Sequence, residues 1–502
     1  MADLITGVQS ALAPSALLFT LLGTVLGIVF GALPGLTSTM AIALMIPRTS
    51  GMDAVTGMGM LVGAFCGGTA GGSVSATLLA IPGTPSSICT TFDAHPMAKK
   101  GKAGLALGTS VICSFIGGVF SMVMLSILAP QLASVALQFG PLEYMTLALL
   151  GLTIIASISG KSLAKGLIGG LIGIFASCVG VDVVTGMPRL TFGNSQMLGG
   201  LSLLPVLIGL FAVSQALLEA ENQVRRAADA QPEIANGGKI RAEFPKLRLL
   251  LSKWKILLSS SLLGTIIGIL PGTGGSIASF VAYDTAKHLS KTPEEFGKGN
   301  IEGVIASETS NNAMTGGAMV PMMALGIPGD TATAIMMGGL LIHGLRCGPM
   351  LFVNNMPTVY GIFAALLIAN CAMVVFQTFG IRLFVQILRI PRYVLTPIVI
   401  VLCTIGAFGA SNNMFDVWVM LAFGVIGYFA NKLGYGVAPI VLGFILGSVF
   451  EQNLRRGAEM FHTVGSWLNR PIADGLFIAS MVALLLPIIQ AQLAKRKANK
   501  KS

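Results

Sequence analysis

Apolar residues along this chain come in long runs rather than in strand-like alternation. Runs long enough for a membrane-crossing helix, which takes about 20 residues, fall near 12–30, 104–128, 142–158, 164–180, 200–217, 253–270, 356–376, 393–410, 414–430, 436–450 and 471–490. Four further stretches, 31–47, 54–91, 271–283 and 310–345, are apolar but broken by Gly, Pro, Ser and Thr, and they count poorly as whole helices. One long polar stretch, Glu219 to Lys255, holds eight Lys/Arg and five Asp/Glu with Gln231-Pro232 and Asn236-Gly237-Gly238. It reads as a cytoplasmic linker. The fold expected is an all-α polytopic membrane protein of about 11–12 transmembrane helices.

The two halves flanking the linker resemble each other. Gly31-Ala32-Leu33-Pro34-Gly35 matches Gly268-Ile269-Leu270-Pro271-Gly272 at a shift of 237, and Ala80-Ile81-Pro82-Gly83-Thr84 matches Gly326-Ile327-Pro328-Gly329-Asp330 at 246. Pro141 and Thr146 match Pro391 and Thr396 at 250, and Leu204-Pro205 through Gly209 match Ala438-Pro439 through Gly443 at 234. Four matches in one order predict a duplicated unit: a first transmembrane repeat over 1–218, the linker over 219–255, a second repeat over 256–450, and an extra C-terminal segment over 451–502 with a helix and a basic tail.

Composition agrees with a membrane chain and charge orients it. Of 502 residues 54% are hydrophobic and 10% charged, against about 25% charged in soluble proteins. Gly, at 63 residues, is in excess, as is usual in transmembrane helices. The net charge of +11 sits mostly in short loops and in the tail (Lys495, Arg496, Lys497, Lys500, Lys501), so it reports topology and not nucleic-acid binding. Lys99, Lys100 and Lys102 follow the first Ile-Pro-Gly where the second half has only Arg346; Arg48 follows the first Leu-Pro-Gly where its counterpart has Lys287, Lys291 and Lys298. Lys161 and Lys165 correspond to Asn412 and Asp416, and the uncharged Phe139-Gly140 turn to Arg389 and Arg392. Equivalent loops exchange their positive charge, which predicts copies inverted in the membrane. Arg455 and Arg456 run against this, since the reading puts them outside. It places the N-terminus in the periplasm and the C-terminus in the cytoplasm, and takes the first apolar stretch as a retained helix rather than a signal peptide. The seven cysteines are scattered without CxxC spacing and suggest neither a disulfide framework nor zinc.

A Pro-Gly break at membrane depth is tolerated only where it is buried in protein or lines a wet cavity. The breaks Pro34-Gly35, Pro82-Gly83, Pro271-Gly272 and Pro328-Gly329 each precede polar residues: Thr37-Ser38-Thr39, Thr84 with Ser86, Thr273-Gly274-Gly275-Ser276, and Asp330-Thr331. A helix restarting there offers free N–H groups to an anion, and carbonyls freed by the broken turn suit a small cation. Before the two Ile-Pro-Gly breaks lie Gly67-Gly68 through Ser73 and Ser75, and Glu308 through Asn311, Asn312 and Thr315. The Asn amides can serve cation or carboxylate, and Asp330 is an intramembrane acid, a functional candidate by default. A sodium ion is expected near Asn311, Asn312 and Asp330. His95 and His343 are read as structural, at loop edges. Catalytic signatures fail: Gly160-Lys161-Ser162 lacks the upstream Gly of a phosphate loop, having Ile155 there, and Tyr283-Asp284 with Gly329-Asp330 departs from the aspartyl-protease pattern at Ile327, with Asp284 opening a Lys-rich loop. No enzyme is expected.

Taken together, Gly31 to Gly35, Gly67-Gly68 with Ser73, Ile81 to Gly83, His95 to Gly101, Gly268 to Gly275, Glu308 to Asn312, Leu325 to Gly329 and Ile342-His343-Gly344 resemble the large membrane subunit (TctA) of the tripartite tricarboxylate transporter family. The resemblance implies a bacterial inner-membrane permease partnered by a small membrane subunit and a periplasmic solute-binding protein that delivers an organic acid. It implies secondary transport coupled to Na⁺ or H⁺, with no cofactor; a homodimer is compatible with it. From both lines the expected function is a cation-coupled importer of small carboxylates, of the tricarboxylate or dicarboxylate class. A passive anion channel and an intramembrane hydrolase are the alternatives. The segregation of broken from regular segments further suggests that the broken ones move as a block.

Overall fold

The computed structural model describes residues 2–158, 162–182, 184–226, 242–387, 392–460 and 470–499. The Gly160-Lys161 pair, the linker residues Gln231 to Gly238, Arg389 and the tail residues Lys500 and Lys501 lie outside them; the side chains of Arg392, Lys495, Arg496 and Lys497 do too. The described residues are helical almost throughout. Among the described residues seven helices are long and apolar enough to cross a membrane, and several shorter apolar helices accompany them. The protein is a multi-pass all-α membrane protein.

In the first half the order is α1 (Ala2–Ala11), α2 (Pro14–Ala32), α3 (Ser38–Thr49), α4 (Ala54–Leu79), a 3₁₀ turn Pro85–Ser87, α5 (Ile88–Met97), α6 (Ala103–Ala136), α7 (Pro141–Ile158), α8 (Leu163–Ser177), α9 (Leu203–Leu207) and α10 (Ser214–Arg226). The second half runs α11 (Leu247–Ser252), α12 (Trp254–Ile269), α13 (Gly274–Leu289), α14 (Ile301–Leu325), α15 (Thr331–Ile342), α16 (Pro349–Asn354), α17 (Met356–Ile387), α18 (Arg392–Ser411), α19 (Met414–Lys432) and α20 (Val437–Met460), followed by a last helix, Pro471–Asn499. Both α10 and α11 extend into the stretch expected to be linker, and α20 passes residue 450.

The breaks after α2, α4, α12 and α14 fall where Pro-Gly predicts them, but two expectations about their surroundings change. The stretches 54–91 and 310–345 are not whole helices, as their Pro-Gly breaks predict, but their Gly-rich parts do not interrupt them. Instead α4 runs unbroken through Gly67–Ser75 and α14 through Asn311–Gly317, and the breaks are confined to the turns after Ala80 and Gly326, both left-handed. The reason is that a buried backbone still has to pair its own groups, and the helix does so even when rich in Gly. Hydroxyls bond within it, Ser73 to the Ala70 carbonyl at 2.7 Å and Thr77 to that of Ser73 at 2.7 Å. Second, Asp284 does not open a loop. It lies inside α13, whose last turn carries Lys287 and His288, and His288 sits 3.6 Å from the Asp284 carboxylate. His95 likewise lies within α5, its Nδ1 3.0 Å from the Thr77 carbonyl oxygen, while His343 closes α15.

Two compact units make up the chain. One consists of Met1–Ser134 and Phe211–Asn413 and holds all four breaks. In it α4 and α14 are buried along nearly their full lengths. They are gripped by α2 and α12 through backbone contact. A Cβ at Gly27 would come 2.5 Å from the Ala64 carbonyl oxygen and one at Gly31 2.1 Å from that of Gly68; one at Gly264 would come 2.3 Å from that of Ser310 and one at Gly268 2.6 Å from that of Met314. These pairs repeat at the shifts of 237 and 246 seen in the sequence. Small residues let the axes approach and give van der Waals contact that lipid would not supply.

The second unit is Val135–Leu210 with Met414–Ser502. There α8 and α20 approach closely, a Cβ at Gly443 falling 2.0 Å from the Gly170 carbonyl oxygen. Arg455 is paired here, to Asp182 at 2.8 Å and Glu451 at 2.6 Å, and Arg189 reaches Glu451 at 2.6 Å. Arg455 is thus matched by carboxylates, which gives a local reason for a basic residue that ran against the charge pattern. The short hairpin Gly180–Val181 with Pro188–Arg189 is tied by Asp182, whose carboxylate accepts the Val184 N–H at 3.1 Å and the Thr185 hydroxyl at 2.8 Å. The Val184 amide, the Thr185 hydroxyl and then Arg455 hold this carboxyl down to about 2. A lowered carboxyl stabilises the hairpin above about pH 4, its ordinary range, and loses that contribution as pH falls toward the lowered value. Hydrogen–deuterium exchange of 180–189, corrected for intrinsic rates, is expected to accelerate on acidification below about pH 4 in the wild type. In Asp182→Asn it is expected to be fast at neutral pH already; an unchanged wild-type profile would count against the anchor.

Candidate functional site

The four helices that restart after Pro-Gly breaks differ at their N-termini. The Thr37 hydroxyl caps α3 by accepting the Met40 N–H at 3.2 Å. Asp330 caps α15 in a reciprocal box, its Oδ1 accepting the Thr333 N–H at 2.8 Å while the Thr333 hydroxyl accepts the Asp330 N–H at 3.0 Å. Neither α13 nor the turn leading into α5 has a side-chain cap. Orphan N–H groups and the positive dipole end therefore have no side-chain cap at these two. At the first break the Glu219 carboxylate lies against Gly35, where a Cβ would be 2.8 Å from Oε2. Glu219, Gly35, Met40 and Thr396 line a small pocket beside it. A carboxylate wall disfavours an anion there.

The breaks meet crosswise between the halves. Thr39 and Thr331 place their hydroxyl oxygens 3.3 Å apart, joining the capped pair. The uncapped pair is joined by Ser279, whose hydroxyl donates to the Ser86 carbonyl at 2.9 Å. A Cβ at Gly275 would lie 2.7 Å from Ser86 Cβ and 2.8 Å from Asn311 Oδ1. Asn311 is fully buried, its Nδ2 reaches the Thr69 carbonyl only at 3.5 Å, and its Oδ1 has no hydrogen-bond partner among the described residues. An amide oxygen buried without a partner is costly, and a ligand beside Ser86 and Gly275 would relieve it.

The remaining residues named from the sequence fall around this point or serve structure. Thr84 bonds the hydroxyls of Ser86 at 3.0 Å and Ser87 at 2.9 Å. Gly83 packs on the Gly31 carbonyl and Ser75, and Gly329 on the Gly268 carbonyl. The Gly272 N–H donates to the Gly329 carbonyl at 2.7 Å, and the Thr273 hydroxyl takes up the Ile267 and Leu270 carbonyls. Pro34 and Pro328 are buried, while Pro82, Pro271, Gly274 and Ser276 are half-buried at the turns. Ser38 packs on Gly68, and Ser73 receives Gln377 Nε2 at 3.4 Å. Thr315 bonds back to the Asn312 carbonyl at 2.7 Å. Asn312 turns to Ser114, at 2.8 Å, and Asp330 to its own helix. The three residues expected around a sodium ion thus have separate partners.

Two buried carboxylates were not among the expected site residues. Glu308, fully buried, accepts hydrogen bonds from Thr90 at 2.5 Å and Ser114 at 3.0 Å. Asp93, equally buried, accepts the Tyr283 hydroxyl at 2.7 Å and the N–H groups of Gly297, Gly299 and Asn300 at 3.0, 2.8 and 2.7 Å. Glu308 opens the polar cluster before the second Ile-Pro-Gly, whereas a carboxylate in an apolar stretch was the only sequence signal for Asp93.

Comparison with known proteins places this architecture. The chain is 35% identical over 503 residues, 98% of each chain, to an uncharacterized 52.8 kDa protein in the TAR-I ttuC' 3'region of Agrobacterium vitis. It is also 35% identical over 234 residues, 46% of this chain and 97% of the relative, to an uncharacterized protein in the TAR-II ttuC' 3'region of the same organism. No solved structure matches. The family model for the tripartite tricarboxylate transporter TctA family matches residues 17–442, a span that takes in all four breaks and both central helices, and the chain belongs to that family.

Proposed function

We propose that this protein is the large permease subunit of a binding-protein-dependent system that imports small carboxylates with a coupling cation, Na⁺ or H⁺, and that the substrate binds where the uncapped N-termini of α13 and α5 meet Asn311. The observation that carries this reading is the pairing of two uncapped helix N-termini with one unpartnered amide oxygen, about Ser86 and Gly275. N–H groups bind the carboxylate; the amide oxygen takes a cation or a substrate hydroxyl. Contacts recurring at fixed shifts, with loops that exchange their charge, support two inverted copies, repeat 1–218 and repeat 256–450, in the bacterial inner membrane with a periplasmic N-terminus and a cytoplasmic C-terminus. Partners of this reading are a small membrane subunit and a periplasmic solute-binding protein.

Uptake of labelled citrate and of dicarboxylates into proteoliposomes, with the Na⁺ and pH gradients varied separately, tests it. Saturable uptake that follows one of the gradients is expected, and Asn311→Ala should lower it about tenfold or more, the loss of a bond to a charged group. Wild-type uptake indifferent to both gradients would overturn the coupling. Unchanged uptake in Asn311→Ala would move the site elsewhere.

A further inference from the structure

Resting on that transport reading, we infer that Glu308 is a proton-binding site and that its proton is the coupling ion. Glu308 sits on α14 one turn before Asn311 and is fully buried. Each carboxylate oxygen meets a neutral hydroxyl, Thr90 on α5 for Oε1 and Ser114 on α6 for Oε2. No ion pair to it is found among the described residues. The charged and titratable groups nearby are otherwise engaged or neutral. Asp93, one turn along α5, is bonded to Tyr283 and three backbone amides, and Glu302 on α14 is paired with Lys253. Cys89 on α5 and Cys113 on α6 are buried thiols. A buried carboxylate with no counter-charge is expensive to keep ionised, so a proton is the natural neutralising ion. Both oxygens are already at hydrogen-bond distance from hydroxyls.

The cradle accepts the proton without breaking a bond. Ser114 accepts from Asn312 Nδ2 at 2.8 Å, so its own hydrogen always points to Oε2. Thr90 can turn either way: its oxygen lies 2.5 Å from Oε1 and 3.3 Å from the Ser307 hydroxyl, which itself donates to the Gly303 carbonyl at 2.9 Å. With Glu308 ionised, Thr90 donates to it. When a proton binds Oε1, the new O–H donates to Thr90 and Thr90 donates to Ser307; release restores the first arrangement. Thr90 belongs to the helix entered from the Pro82-Gly83 break, so a change at the substrate end of α5 alters the cradle.

Infrared difference spectra of the full-length protein in lipid, acid against alkaline over about pH 5 to pH 9, decide whether the site exists without need of a substrate. One protonated-carboxyl band is expected to titrate in the wild type, to be missing from Glu308→Gln and to shift in frequency in Thr90→Val, which keeps shape but removes the hydroxyl. A wild type with no such band, or a band kept in Glu308→Gln and unmoved by Thr90→Val, would overturn the site. Acid-outside gradients should drive citrate accumulation in the wild type, and about tenfold less in Glu308→Gln. A titrating band with uptake insensitive to the pH gradient would overturn the coupling role alone. A wild type that moves no carboxylate under any gradient would overturn the transport reading, and the coupling role with it.

Discussion

Replacing Asp93 by Ala is expected to cost about 3–5 kcal/mol of stability, the scale of breaking a buried charged network. One carboxylate oxygen receives three loop amides, Gly297, Gly299 and Asn300, and the other receives the Tyr283 hydroxyl. The loop 290–300 that joins α13 to α14 is thereby fastened to α5, an element from the other half of the chain. Ala takes the acceptor from all four donors; the Asn300 amide is left buried and the Gly299 amide and Tyr283 hydroxyl half-buried, and an unpaired buried donor costs about 1–3 kcal/mol with incomplete additivity. Asn is the informative comparison, because its amide oxygen can still accept the three N–H groups while the Tyr283 hydroxyl turns to accept from the new NH₂. Its loss should be about 1–2 kcal/mol. Thermal unfolding in a fixed detergent should therefore rank wild type above Asp93→Asn and Asp93→Asn well above Asp93→Ala. Equal loss in the two variants would mean that charge, and not the count of bonds, carries the anchor.

That anchor shows why some of this molecule could be read in advance and some could not. The breaks were legible because Pro-Gly acts locally and because each pair occurs twice, so Gly31 with Gly268 and Gly83 with Gly329 stood out above the other glycines. The continuity of α4 and α14 was not, since a run such as Gly67–Ser75 has weak helix propensity and only burial on all sides overrides it. Glu308 was visible as an acid, but its cradle was hidden. Ser114 follows Thr109 and Ser110 on α6, whose hydroxyls bond back to Leu105 and Ala106 in the ordinary way. Nothing in the local sequence marks Ser114 as the one that reaches across to α14. Asp93 was hidden for a related reason: its partners lie about 200 residues on, Tyr283 in α13 and three amides in a loop whose lysines attract attention as topology signals. The capping of two breaks but not the other two was half visible. Asp330 invited a functional reading through its charge, whereas the structure uses that charge on its own helix, and the uncapped N-termini belong to two of the three breaks without an acid.

Gly83→Ala and Gly329→Ala are expected to reduce transport about a hundredfold while the protein still folds, the effect of displacing binding groups by about an ångström. Neither glycine has a left-handed backbone, so the effect is crowding alone. A methyl at Gly83 would meet the Gly31 carbonyl oxygen at 2.0 Å, Ser75 Oγ at 2.6 Å and Gly72 Cα at 2.9 Å. At Gly329 it would meet the Gly268 carbonyl oxygen at 2.5 Å and Ala318 Cα at 2.6 Å. These are mostly backbone atoms of buried helices and cannot rotate aside. The turn must lift off instead, at a cost of about 1–3 kcal/mol. Lifting the first turn carries Thr84 and Ser86 away from Gly275 and Asn311, which dismantles the uncapped pair. The second acts from the opposite half: Gly329 also holds the Pro271-Gly272 break through its carbonyl, and α13 starts directly after that break. The two substitutions should thus converge on one binding defect, raised KM for the carboxylate as well as lowered rate, although they lie 246 positions apart. Gly475→Ala, where nothing lies within 4 Å, controls for a general effect of losing glycine. If Gly329→Ala left uptake at the wild-type level while Gly83→Ala abolished it, the second half would be scaffolding and the shared site would have to be withdrawn.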